Sequence, residues 1–169
     1  MNLHNLVTDP SKLATYGKFI SPEEAYQRLE QGDKAPYLIR AVASDPKWAH
    51  AYAYYVIKGR FPEGEKVIAS HPGYAYMYAD NIKGRFPEGE KAIASETYWA
   101  YEYARHIIKG RFPEGEKVIA SHPNYAYMYV RHIIKGRWPE GEKAIVTAPY
   151  WANLYRKFLN DNEPTQPSC

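Results

Sequence analysis

"KGRFPEGEKVIAS" spans Lys58 to Ser70, and nearly the same words return from Lys83, Lys109 and Lys135. The step is 25 positions from Lys58 to Lys83, and 26 from Lys83 to Lys109 and from Lys109 to Lys135. A fixed period of roughly 20 to 50 residues marks supersecondary units that stack, because one unit is too short to bury its own apolar face. The repeat therefore speaks to architecture before it speaks to function.

Cut at the Lys-Gly-Arg, the units run Lys58 to Ile82, Lys83 to Ile108, Lys109 to Ile134 and Lys135 to Asn160. The first and third share "EKVIASHP" and "YAYMY"; the second and fourth share "EKAI" and a "YW" pair. The deeper period is therefore two units, the pattern of a duplicated two-unit block. A worn earlier copy, "APYLIRAVASDPKWAHAYAYYVIKG", covers Ala35 to Gly59, and "SPEEAYQRLEQG" (Ser21 to Gly32) precedes it. The latter reads as a polar cap helix, with Ser21 at the N-cap and Pro22 at the first helical position.

Each unit reads as a long helix and a short one. In "HPNYAYMYVRHIIKG", Pro123 suits the first helical position, Gly136 suits a left-handed C-cap, and Lys135 falls in the last turn. Ala126, Tyr129, Val130 and Ile133 recur at helical spacing and predict one buried face, as do Ala100, Tyr103, Ala104 and Ile107 one unit earlier. "RFPEGEKVIAS" supplies the short helix, with Pro113 first, Glu114 and Glu116 in the opening turn, and Val118, Ile119 and Ala120 to pack. Gly115 inside it costs ~1 kcal/mol against alanine, so that helix needs tertiary support. The expected fold is all-α: a helical-repeat solenoid of stacked αα-hairpins. Residues 1–20 form an N-terminal extension, 21–160 a single domain of cap helix plus about five hairpins, and 161–169 a disordered tail.

Composition limits the function classes. With 22 basic and 19 acidic side chains among 169 residues, the charge of +3 neither demands nor excludes a polyanion. Cys169 stands alone, so there is no disulfide framework and no cysteine metal cluster. No signal-peptide pattern opens the chain and no apolar run is long enough to span a bilayer, which predicts a cytoplasmic location.

The cadence of aromatic-Ala-x-x-Tyr-Ala, a Lys-Gly break and Pro-Glu-x-Glu resembles short tandem helical repeats of unknown function found in some bacterial and phage proteins, over Ala35 to Asn160. It departs from tetratricopeptide and pentatricopeptide repeats, whose binding codes do not transfer. The resemblance implies an interaction scaffold. If phage-encoded, it would inhibit or sequester a protein in the host cytoplasm.

Repeated positions should serve stacking, and variable ones binding. Arg60, Arg85, Arg111 and Arg137 each stand three residues before Glu63, Glu88, Glu114 or Glu140, and are expected to form an ion-pair ladder between neighbouring units, joined by Glu65, Glu90, Glu116 and Glu142. Phe61, Phe86, Phe112 and Trp138 are expected to pack between helices. One line on the long helices reads Trp48, Tyr74, Trp99, Tyr125 and Trp151; the next turn carries Met77, Glu102, Met128 and Leu154; the next Asp80, His106 and His132. Aromatics and methionine suit protein recognition, although the same aromatics would serve equally to bridge units. Arg105-His106 and Arg131-His132, with Tyr101 and Tyr127 a turn earlier, suit a nucleic-acid strand. No His-x-x-x-His, nucleophile motif or phosphate-cradling loop is present, so neither metal, cofactor nor enzymatic activity is expected. The leading expectation is a macromolecule-binding scaffold with a protein partner. RNA or DNA binding is the alternative, and exposed aromatics would also permit self-association.

Overall fold

The computed structural model describes residues 20–162. The expected extension before Ile20 and the tail after Asn162, with His4 and Cys169, lie outside the described residues. The described chain is helical, without strands. Its elements are α1 (Pro22–Glu30), α2 (Pro36–Val42), α3 (Pro46–Ala51), α4 (Pro62–Ile68), α5 (Pro72–Asn81), α6 (Pro87–Ile93), α7 (Thr97–Glu102), α8 (Pro113–Ala120), α9 (Pro123–Tyr129), α10 (Pro139–Ile145) and α11 (Pro149–Asn162). Contacts gather these into two compact units, with the chain divided between Ala92 and Ile93.

Ten of the eleven helices begin with proline, which needs no partner for its missing N–H. Side-chain caps are few. Ser21 accepts from the Glu24 N–H at 3.1 Å and Asp45 from the Trp48 N–H at 3.1 Å.

The helices α3, α7 and α9 do not end where α-geometry ends. They continue as π-helical turns, Tyr52–Ile57, Tyr103–Ile108 and Val130–Ile134, whereas α5 does not. The cause is countable. Pro72 to Lys83 is one residue shorter than Pro46 to Lys58 or Pro123 to Lys135. The extra residue of the longer units is absorbed inside the helix as a π turn, which widens the hydrogen-bonded ring by one residue. The buried Ala53, Ala79, Ala104 and Val130 thereby keep a common place before the stop.

At that stop the backbone corrects the sequence reading. The left-handed residue is the lysine, not the glycine: Lys58, Lys83, Lys109 and Lys135 have φ of 56°, 55°, 56° and 58°. The following glycine donates back into the helix, Gly59 N–H to Ala53 O, Gly84 N–H to Ala79 O and Gly110 N–H to Ala104 O, each at 3.1 Å. The turn is a Schellman-type cap shifted one residue early. A side chain in this region costs ~1–2 kcal/mol, part of which glycine would return through its own unfolded-state entropy. Lys109→Gly should therefore raise stability by about 0.5–1 kcal/mol, read as a higher urea midpoint, while Gly110→Ala stays near neutral because only Ile108 Cγ2, at 3.9 Å, lies near.

In the first unit, α4 lies between α3 and α5. Phe61 and Phe86 are buried to within 1%. A Cβ on Gly64 would stand 2.5 Å from Phe61 Cδ1 and 3.0 Å from Ala49 Cβ, and one on Gly89 would stand 2.6 Å from Phe86 Cδ1 and 2.8 Å from Ala75 Cβ. The second unit repeats this: a Cβ on Gly115 would stand 2.7 Å from Phe112 Cδ1 and 2.8 Å from Ala100 Cβ. The glycine of "PEGE" is thus the floor on which the preceding ring lies and the point where short and long helices touch.

Candidate functional site

The arginine ladder takes a different form from the expected one. Arg60 pairs with Glu65 at 2.7 Å, Arg85 with Glu90 at 2.7 Å, Arg111 with Glu116 at 2.7 Å and Arg137 with Glu142 at 2.9 Å. Each pair lies within one repeat. Glu63, Glu88, Glu114 and Glu140 are exposed to solvent instead. The physical reason is that the arginine precedes the helix in extended chain, so helical i,i+3 spacing does not apply, and the first-turn glutamate five residues on folds back beneath it.

A tyrosine of the long helix completes the first, third and fourth of these nodes. Tyr78 Oη donates to Glu65 at 2.8 Å and accepts the Phe61 N–H at 2.7 Å; Tyr129 Oη donates to Glu116 at 2.9 Å and accepts the Phe112 N–H at 2.8 Å. Tyr155 donates to Glu142 at 2.6 Å. The same rings pack against the next aromatic, Tyr78 on Phe86 with centroids at 4.9 Å and Tyr129 on Trp138 at 4.9 Å. Tyrosine, not the ion pair, joins one repeat to the next. The arginines are each held by a carboxylate that locally balances their charge.

These nodes predict acid lability. The adjacent guanidinium, helped by the tyrosine hydroxyl, holds Glu65, Glu116 and Glu142 below the usual carboxylate range, against the opposing effect of burial. A depressed folded-state value contributes stability above the unfolded value, roughly pH 4.3 for glutamate, that is lost as pH falls through the folded one. The melting temperature should hold through neutral pH and fall below about pH 4.5, with a shallower fall in Glu116→Gln. At the alkaline end, burial first and then the carboxylate push Tyr78 and Tyr155 up to about 12. Their contribution is complete below the unfolded phenol value, about 10, and lost as pH climbs past the folded one.

The line Trp48, Tyr74, Trp99, Tyr125 and Trp151 is half-buried. Trp48 packs on Tyr26 at 5.3 Å, Tyr74 on His50 at 5.9 Å, Tyr125 on Tyr101 at 5.8 Å and Trp151 on Tyr127 at 5.6 Å. In these pairs the ring reaches an aromatic on the preceding long helix or, for Trp48, on α1, so these four rings bridge helices. Met128 and Glu102 are half-buried, and Glu102 lies 3.3 Å from His106; Met77 is exposed.

Arg105, His106 and Arg131 are exposed and His132 is half-buried, but the tyrosines beside them are not open platforms. Tyr101 is fully buried and Tyr127 is 6% exposed. Tyr101 Oη takes a hydrogen bond from Arg105 Nη1 at 3.0 Å and shares one with His132 Nδ1 at 2.8 Å. Burial, then Arg105 and Arg131, lower the His132 imidazole, favouring its neutral form. This cluster ties α7 to the turn after α9, and it offers a base no exposed ring.

Other rings are exposed, Tyr98 to 48% and Tyr150 to 66% in the second unit. Tyr54 is 48% and Tyr55 62% exposed, both in the π turn after α3, and with His50, Tyr76, Met77 and Asp80 they line an open groove within the first unit. A second groove, in the second unit, is lined by Tyr127, Arg131, Leu154, Lys157, Phe158 and Asp161, among others. Neither tyrosine is marked in the sequence, because only Trp48 of the worn copy enters the variable lines. Aligned back from its Lys-Gly stop, Tyr54-Tyr55 falls opposite Arg105-His106 and Arg131-His132. Among the described residues, no helix is long and apolar enough to cross a membrane, and no three His, Cys, Asp or Glu gather as a metal site.

The chain matches no family model, no curated protein and no solved structure.

Proposed function

We propose that the chain is a non-enzymatic scaffold, a solenoid of αα-hairpins, that binds another protein through the solvent-facing side of its long helices. The observation that carries this reading is the pair Tyr54 and Tyr55, exposed beside Met77 and His50 on a helical support. Tyrosine and methionine are enriched at interfaces, where a rigid ring contributes much contact area at little entropic cost. Such a scaffold acts by occupying or sequestering its partner.

Nucleic-acid binding is the second reading, and it rests on exposed Arg105 and Arg131. It is weaker because the repeat arginines are paired and Tyr101 and Tyr127 are covered. Fluorescence anisotropy with labelled single-stranded RNA and DNA at low salt separates the two. The scaffold reading expects no saturable binding. Binding that falls by orders of magnitude with moderate salt, and that Arg105→Ala with Arg131→Ala abolishes, would overturn it.

A further inference from the structure

We infer that the groove between the end of α3 and the facing side of α5 is a cage for a methylated ammonium group, carried on a lysine side chain of the partner protein. The inference rests on the protein-binding reading and gives that partner a chemical feature. The groove holds about 250 Å³ and is lined by His50, Tyr54, Tyr55, Tyr76, Met77 and Asp80. Its walls are built largely of aromatic rings. Tyr54 and Tyr55 meet at 84° with centroids 4.8 Å apart, and the His50 ring stacks on Tyr54 at 24° and 6.0 Å. An aromatic face carries the negative end of the ring quadrupole and attracts a cation within about 6 Å, most strongly one that is large and weakly hydrated.

The charge of the lining agrees with such an occupant. Asp80, its side chain 60% exposed, brings a carboxylate that Lys83 meets at 3.8 Å, a contact that a better-placed cation can displace. Burial lowers the His50 imidazole, so it stands as a neutral ring and does not repel a cation. Met77 adds a soft, polarizable contact. The other repeats supply an internal comparison. Where this groove has Tyr54-Tyr55, the second unit has Arg105-His106 and Arg131-His132, whose arginines would repel a cation. At this position a tyrosine pair therefore stands in the earliest copy where two later units carry Arg-His.

The test is an NMR titration of the full chain with N-acetyl-trimethyllysine amide, beside its neutral tert-butyl isostere, unmethylated acetyl-lysine amide and phosphatidylcholine vesicles. Saturable shifts confined to Tyr54, Tyr55, Met77 and Asp80 are expected with the trimethyl probe. Affinity should be several-fold or more lower for the neutral isostere, which fills the same space without charge, and for unmethylated lysine. Tyr55→Ser should abolish the response and Asp80→Asn should weaken it several-fold; both side chains are exposed, so the circular dichroism spectrum should be unchanged. Equal binding of the neutral isostere, or no saturable shift with the trimethyl probe, would overturn the cage. A response to vesicles alone would overturn the protein source. If partner capture persists while the ammonium probe fails, the cage falls and the scaffold reading stands.

Discussion

Replacing Gly115 with alanine is expected to destabilise the protein by about 2 kcal/mol, although the same change in an exposed helix interior would stabilise it by ~1 kcal/mol. The sign turns on what the added methyl meets. It would stand 2.7 Å from a ring carbon of Phe112 and 2.8 Å from the Ala100 Cβ, distances that real Cβ atoms do not adopt. Phe112 is fully buried and cannot swing into solvent, and Ala100, also fully buried, sits on the facing helix. Either the ring leaves its rotamer or α8 moves off α7, and overpacking of this kind costs ~1–3 kcal/mol before the propensity gain is subtracted. Urea denaturation of Gly115→Ala, Phe112→Leu and the double variant checks the mechanism. Relief of the clash in the Phe112→Leu background should make the alanine less harmful there, a coupling of about 1 kcal/mol. An alanine that stabilises the parent protein would contradict the account.

The second large effect is expected from a single oxygen. Tyr129→Phe keeps the ring against Trp138 and removes only the hydroxyl that accepts the Phe112 N–H and donates to Glu116. Both Tyr129 and Phe112 are fully buried, so water cannot replace the lost acceptor. An orphaned buried donor costs ~1–3 kcal/mol. Arg111→Ala deletes the more conspicuous partner of the same glutamate, but that guanidinium is 59% exposed and its ion pair is worth only ~0–1 kcal/mol. The order of the two effects is the prediction: the neutral hydroxyl should outweigh the salt bridge. Thermal denaturation of the two variants side by side reads it directly, and Tyr78→Phe should behave alike in the first unit.

Much of the helical plan was legible before any coordinate. Period, capping prolines and the spacing of Ala100, Tyr103 and Ala104 place long and short helices where they lie, because these signals depend on local chemistry. Three features were not legible, each for a physical reason. The π turns appear in sequence only as a one-residue difference in period, and no residue type marks where a helix absorbs an insertion. The lysine at positive φ inverted the usual expectation for Lys-Gly, since the glycine there serves as the next hydrogen-bond donor. The pairing of Arg60 with Glu65 instead of Glu63 depends on extended chain ahead of the helix, which defeats counting by turns. For the candidate site, the aromatic line from Trp48 to Trp151 was visible, but whether a ring bridges helices or faces a partner depends on packing. Tyr54 and Tyr55 lie in the worn repeat, of which only Trp48 aligned with the variable positions of the others.

Capture of a partner from nuclease-treated bacterial lysate, with the native chain and the Tyr54→Ser/Tyr55→Ser variant as paired baits, is the most direct test of the central claim. The scaffold account predicts one protein retained at near-stoichiometric level by the native chain, insensitive to moderate salt, and lost with the variant while the variant's circular dichroism is unchanged. Retention that disappears with nuclease, or that the variant leaves untouched, would contradict it.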